Sequence, residues 1–426
     1  MTAWWAAWAH LPTGLAANVR MEVVDGAFTA VEIGAPAAGA SILPGVVLPG
    51  FADVHGHAFH RALRGRTHDD GGTFWTWREQ MYAVAERLDP DTYLALARAT
   101  YAELALAGVT TVGEFHYLHH GPGGVPYDDP NTMSTVLRQA AQDAGVRLTL
   151  IDACYLRGGF GTPLSGPQLR FADRGVDAWA ARVATLKADD HCRIAAAAHS
   201  VRAVPAEALP TIGGFDGPVH VHLSEQPAEN DECVAATGRT PTQLLDDYGF
   251  LGPRATVVHA THVDPDAVRT LGGRRAWVCA CPSTERDLAD GIGPMRTLAD
   301  AGARLALGTD QHVGADLLGE ARALEDDERL GSRERGRFTS AELLGALTAH
   351  EALGWADTGA IAVGQRADLV AVPLDQPGTA GVDPGQVMFA PTNVDTVVRD
   401  GHVVVSGGRH VIGDVGRLLV DAIGAL

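Results

Sequence analysis

Short apolar runs alternate with longer amphipathic stretches through the middle of this chain, and that alternation restricts the fold more than any other feature. The runs are residues 46–54, 108–113, 147–153, 193–198, 217–223, 255–258, 276–280 and 304–308. Stretches 90–107, 132–144, 177–188, 240–248, 264–271 and 294–301 lie between them, each long enough for a helix, and 340–353 follows the last run. Strands alternating with helices read as parallel βα units, and eight of them predict a closed, TIM-like (β/α)8 barrel. The two ends differ in texture. Short strands at 4–8, 17–24 and 28–33 with an Asp25-Gly26 turn are echoed by 367–372, 394–399 and 402–406 with an Asp400-Gly401 turn. The expected class is therefore α/β: a barrel domain over 49–359, flanked by a discontinuous small β-sandwich domain built from 1–48 and 360–426. A length of 426 residues accommodates both, since such barrels take about 250.

Run after run ends in polar residues. His55 and His57 follow the first, Glu114 and His116 the second, His199 the fourth, His222 and Glu225 the fifth, His259 the sixth and Asp310 the eighth. The C-terminal strand ends of a barrel share one face, where active sites are built. In His55-Gly-His57 the one-residue spacing points both imidazoles to the same side of an extended strand, and two neutral imidazoles aimed at one point suit zinc. A His-x-His pair alone is often merely hydrogen-bonded; the acidic and imidazole ends of later strands turn it into a metal signal. His222 closes Val219-His-Val-His222, whereas His220, one layer lower, reads as a core histidine. An unpaired Asp310 would be costly in a closed pocket. The expected ligands are His55, His57, His222 and Asp310, holding one divalent metal, Zn2+ by its donors. They leave room for a water, whose pKa zinc lowers to about 7. Glu225 is placed to shuttle a proton to a departing nitrogen, and His259 to polarise the substrate, with Asp310 serving catalysis as well as the metal. His262 and Cys279-Ala-Cys281 read as packing. The only lysine, Lys187, falls on a predicted helix, so no lysine-bridged metal pair is expected.

A formal charge of -19 argues against nucleic acid or an anionic membrane as partner, and it requires specific arginines if the substrate is an anion. The five cysteines form neither an even set nor Cys-x-x-Cys pairs, which predicts reduced thiols in a cytoplasmic protein. The apolar start lacks a basic n-region and reads as a strand, and no apolar run reaches the ~20 residues that span a bilayer.

Leu48-Pro-Gly-Phe51 before His55-Gly-His57, together with His222-x-x-Glu225, His259 and Gly308-Thr-Asp310, resembles the amidohydrolase superfamily, in its branch of mononuclear aminohydrolases acting on C=N bonds. The resemblance covers nearly the whole chain, split β-domain included. A narrower one rests on Leu48-Pro-Gly-Phe-Ala-Asp-Val-His-Gly-His-Ala-Phe-His-Arg-Ala-Leu-Arg-Gly65, Phe74-Trp-Thr-Trp-Arg-Glu79, Glu114-Phe-His-Tyr-Leu-His119, Ala198-His-Ser-Val-Arg202, Val258-His-Ala-Thr-His262 and Cys281-Pro-Ser-Thr-Glu285. These segments are similar to the N-formimino-L-glutamate iminohydrolase family of histidine degradation. That similarity implies a small-molecule dicarboxylate substrate, deaminated hydrolytically to N-formyl-L-glutamate and ammonia. It implies Arg78 and Arg202 as carboxylate binders, with Tyr117 and His199 as further donors beside Glu225. His60 stands where the family usually has glutamine, and Gln311 where it often has serine; both are expected near the pocket. His60 is expected to bind substrate, with affinity tightening as pH falls through about 6–7. Trp75 and Trp77 are expected to pack their loop. Two other readings remain. A deaminase of a purine or pyrimidine ring is disfavoured by the two arginines, one acting on another formimino or guanidino acid stays open through His60 and Gln311, and a non-catalytic barrel scaffold is disfavoured by the intact ligand set. A homodimer is compatible with all of these readings.

Overall fold

Strands buried on both faces need nearly continuous apolar sequence, and the Val-, Leu- and Ala-rich runs supply it. In a computed structural model, which describes residues 2–67 and 71–426, two eight-stranded sheets account for the strands. The first four strands are β1 (Thr2–Leu11), β2 (Gly14–Val24), β3 (Ala27–Ile33) and β4 (Ser41–Pro49). The barrel strands follow: β5 (Phe51–Gly56), β6 (Val109–His116), β7 (Arg147–Cys154), β8 (Cys192–Ser200), β9 (Val219–Leu223), β10 (Ala255–His259), β11 (Trp277–Ala280) and β12 (Arg304–Leu307). They pair in sequence order, all parallel. A bridge between Gly56 and Asp310 brings β5 and the end of β12 together. There His57 N donates to Asp310 O at 3.0 Å and Asp310 N to His55 O at 2.9 Å.

The last strands are β13 (Leu369–Val372), β14 (Thr396–Arg399), β15 (His402–Ser406) and β16 (Arg409–His410). They join the first four in the order β16-β15-β14-β13-β4-β1-β2-β3, so both chain ends build one sheet. Its own core includes Trp4, Met21, Phe28, Leu43, Leu369 and Val398. The single run expected over 46–54 is two strands. Gly50 separates them, and a side chain there would meet Thr110 at 2.5 Å, so the chain turns from one sheet into the other where only glycine fits. Arg147, at the start of β7, is fully buried and pairs with Asp368 and with Asp400, which ties the barrel to the small sheet.

Helices cover the barrel: α1 (Phe74–Arg87), α2 (Pro90–Leu106), α3 (Thr132–Asp143) and α4 (Val176–Val183) come first. Asp89 caps α2, accepting from Thr92 N at 2.8 Å, and Pro90 takes the first helical position, where its missing N–H costs nothing. The helix expected over 177–188 stops at Val183, and that over 340–353 ends at Leu347 before a short 3-10 turn, His350–Leu353. Among the described residues no helix is long and apolar enough to cross a membrane.

Candidate metal centre and substrate pocket

The expected residues converge at the C-terminal mouth of the barrel. One extra residue on β5, where His55 sits, breaks its register with β6. A similar bulge on β8 falls at His199, between Ala198 and Ser200. Bulges of this kind re-aim side chains beside active sites. His222 Nδ1 donates to the His199 carbonyl at 2.8 Å, and His57 Nδ1 to the Phe115 carbonyl at 2.9 Å. A carbonyl accepts only, so in both rings Nε2 carries the lone pair. These lone pairs point into one small space: His222 Nε2 is 3.1 Å from His55 Nε2, and Asp310 Oδ1 is 3.3 Å from both His55 Nε2 and His57 Nε2. Burial pulls His55 down to about 4 and His222 well below the usual imidazole range, so those two rings bring no positive charge of their own. Donors at metal–nitrogen distances of about 2.0–2.1 Å in a tetrahedral shell lie roughly 3.3 Å apart. His55, His57, His222 and Asp310 therefore fit a divalent cation, and their ligand atoms lie within 4.8 Å of one another.

Beside this cluster, His259 Nε2 lies 3.7 Å from Glu225 Oε1 and 3.8 Å from Asp310 Oδ2, while Nδ1 is 3.3 Å from Glu285 Oε1. Burial pulls the His259 pKa down, but Glu225, Glu285 and Asp310 outweigh it and hold the ring well above its ordinary value. Burial raises Glu225, with His259 and Arg202 opposing. Ser224, His259, Ala260, Asp310 and His312 all take positive φ, from 46° to 70°. That costs about 1–3 kcal/mol per residue, a strain that clusters at functional sites.

A cleft with about 590 Å³ of unfilled space opens over the cluster. Its walls include His57, His60, Trp77, Arg78, Tyr117, Tyr155, His199, Arg202, Glu225 and Asp310, so every expected substrate-binding residue reaches it. Arg78 lies on α1 with its guanidinium 4.6 Å from the Trp75 ring centre and 5.6 Å from that of Tyr82. Arg202 Nε pairs with Glu229 at 2.8 Å, and Nη2 is 3.7 Å from Glu225. Arg202 is thus already committed on one edge of its fork.

Two expectations, on the protonation of His60 and on the Trp75–Trp77 segment, need correction. His60 is buried, its Nε2 2.8 Å from Tyr117 Oη, and burial, with His57 adding to it, lowers its pKa well below the ordinary value. The ring stays neutral through pH 6–7, so no tightening of substrate binding arises from it there. Gln311 follows Asp310 of the cleft wall, and its Nε2 donates to Asp287 Oδ2 at 2.8 Å. Trp75 and Trp77 sit on a helix rather than a loop, and Trp77 lines the cleft.

Sequence reasoning missed Glu285 behind His259, Glu229 behind Arg202 and Tyr155 in the wall. It also missed Asp290, whose carboxylate accepts from Gln226 and whose carbonyl accepts from His262 Nε2 at 2.8 Å. Glu229 and Glu285 lie in the first turns of helices that follow strands, and a carboxylate in a first helical turn reads equally well as a partner of the helix dipole. Lys187 is exposed beyond α4.

A barrel with imidazoles and a carboxylate at its mouth is the site of a metal-type hydrolase. The chain matches the amidohydrolase family over residues 46–404, and it belongs to that family, an enzyme acting on C–N bonds. It is 38% identical to the formimidoylglutamate deiminase of Pseudomonas aeruginosa, over 96% of each chain. It is 30% identical to the 8-oxoguanine deaminase of the same organism, over 78% of this chain and 75% of the other. The crystal structure of an amidohydrolase from Brucella melitensis superposes with a TM-score of 0.92 at 30% identity, covering 100% of this chain and 99% of that one.

Proposed function

We propose that this enzyme is a zinc-dependent formimidoylglutamate deiminase, which adds water to the C=N bond of N-formimino-L-glutamate and releases N-formyl-L-glutamate and ammonia. The carrying observation is that one cleft combines the His55, His57, His222 and Asp310 cluster with two guanidiniums, Arg78 and Arg202. A divalent cation held by those four residues supplies the Lewis acidity that makes a water nucleophilic at neutral pH, and three imidazoles with a carboxylate suit zinc.

The remaining chemistry belongs to side chains. Glu225, raised by burial, takes the two protons of the attacking water in turn and passes them to the departing nitrogen, the first as the C–O bond forms and the second as the C–N bond breaks, so that it leaves as ammonia. His259, oriented through Nδ1 by Glu285, presents Nε2 to the oxygen being added. Arg78 and Arg202 hold the two carboxylates, and charge-assisted forks give that contact direction. Tyr117 with His60, and His199, supply neutral donors along the chain of the substrate. Residues 1–48 with 360–426 form one domain and 49–359 the other in this reading, supported by the separate core of the small sheet. Five buried, unpaired cysteines support a cytoplasmic setting.

The test is ammonia release by zinc-loaded enzyme from N-formimino-L-glutamate, N-formimino-L-aspartate, guanine and cytosine. N-formimino-L-glutamate should give the highest kcat/KM. Faster turnover of either ring compound would overturn the assignment.

A further inference from the structure

Tyr117 faces the cleft, but His116 and His119 on either side of it do not line it. His116 ends β6 and its ring lies 6.4 Å from that of Tyr93 on α2. Close by is Asp152 of β7, whose carboxylate meets Arg182 and Trp179 of α4. The group therefore lies between the barrel wall and its helices. All three residues are buried, with side-chain exposure of 0% for both His119 and Asp152.

Among the described residues, neither ring nitrogen of His116 has a hydrogen-bond partner, and nor does His119 Nδ1. A buried polar atom without a partner is destabilising and uncommon in native folds, so the space between these nitrogens calls for an occupant. The arrangement indicates what. The His116 and His119 rings are 4.7 Å apart at 89°, while the ring pairs of the first cluster, His55–His57 and His55–His222, are each 4.8 Å apart at 87°. His119 Nε2 donates to the Ala153 carbonyl at 2.9 Å, as His57 and His222 donate to carbonyls, which leaves the lone pair on Nδ1. A carbonyl behind an imidazole is the usual device for orienting a metal ligand. A ligand atom from each of His116, His119 and Asp152 lies within 4.8 Å of the others.

We propose that His116, His119 and Asp152 form a second divalent-cation site, zinc-like in its donors and structural in role, separate from the cleft. Charge agrees with this. Arg182 is forked onto Asp152 at 2.7 and 2.8 Å and also meets Asp173 at 2.8 Å, so one guanidinium serves two carboxylates. Burial holds the His116 ring neutral, its pKa down to about 4, which leaves one of its two nitrogens with a lone pair. The bound ion would pin the end of β6 to β7, and with it Tyr117 in the cleft wall.

The experiment is a metal count. Protein stripped by chelator is reloaded with excess zinc, desalted, and analysed by mass spectrometry of the metal as wild type, His55→Ala, His116→Gln and His119→Gln. Two equivalents are expected in wild type and one in each variant. Cobalt loaded into His55→Ala should show the visible absorption of a single ordered site. One equivalent in wild type and none in His55→Ala would mean that water fills the space, and the proposal would fall. So would two equivalents persisting in both glutamine variants. One equivalent that survives His55→Ala and disappears in His116→Gln would keep this site and remove the first. If the glutamine variants do not fold, His55→Ala still decides, because it leaves this group intact and must bind one ion or none.

Discussion

Arg78 and Arg202 stand in the same wall but in different debt to the fold. The Arg202 guanidinium answers Glu229, which in turn accepts from Ser224 N at 2.9 Å, next to the strand that carries His222. The Arg78 guanidinium rests on aromatic rings, and its Nε has no partner among the described residues. Truncating one partner of a buried charge pair costs about 2–5 kcal/mol. Arg78→Ala and Arg202→Ala should therefore each lower kcat/KM for N-formimino-L-glutamate about 30-fold or more, but only Arg202→Ala should also lower the denaturation midpoint, because it strands Glu229. Steady-state kinetics and urea melts separate the two effects; unchanged kcat/KM in both variants would remove the dicarboxylate reading. The convergence of His55, His57, His222 and Asp310 could be read from sequence because a strand end fixes both where a residue lies and which way it points. His60 shows where such reading stops. Its position in the cleft was legible, but its protonation depends on how tightly Phe59, His57 and Trp77 close around it, and packing density is not written in a local pattern.

At the scale of elements, the eight strands were legible because each is an apolar run with little competing signal, while several helices were not. Leu317–Ser332 carries acidic residues on its inner face. Among them Glu320 is buried and accepts from Ser283 N at 2.9 Å, so the face that packs inward does not look apolar. Burial raises the Glu320 pKa from 4.5 to about 8. Below pH 4.5 the folded and unfolded chains both carry that proton. From there to about pH 8 the unfolded chain releases it and the folded chain keeps it, so this group makes the fold less stable as pH rises. Glu320→Gln, which keeps the shape and loses the titration, should show a smaller drop in denaturation midpoint between pH 5 and pH 8 than wild type does. Equal drops would mean that Glu320 is ionised inside the fold. α1 was hidden for a different reason: its Phe74-Trp-Thr-Trp start is weak in helix propensity, and Thr73 caps it by accepting from Trp75 N at 3.3 Å.

The whole molecule depends on a junction that sequence reading did not find, because its partners lie far apart in the chain. Arg147, whose guanidinium reaches Asp368 and Asp400, also lies 5.4 Å from the Trp355 ring centre. Removing one member of a buried ion cluster costs about 3–5 kcal/mol. Arg147→Ala should lose stability of that order, seen as a lower urea midpoint, and it should loosen the small sheet first, seen as faster hydrogen exchange in β13 and β14 than in the barrel strands. Uniform exchange in both sheets would show that they unfold as one body. The pairing of β4 with β13 also has a consequence during synthesis. At about 5–20 residues per second, the β13 edge of β4 emerges tens of seconds before Leu369 is made. Val46, Val47 and Leu48, fully buried in the finished molecule, face water for that interval on a strand with open hydrogen-bonding groups. Messages cut short within the barrel would therefore yield chains that adhere to one another, and the cell has to shield or destroy them.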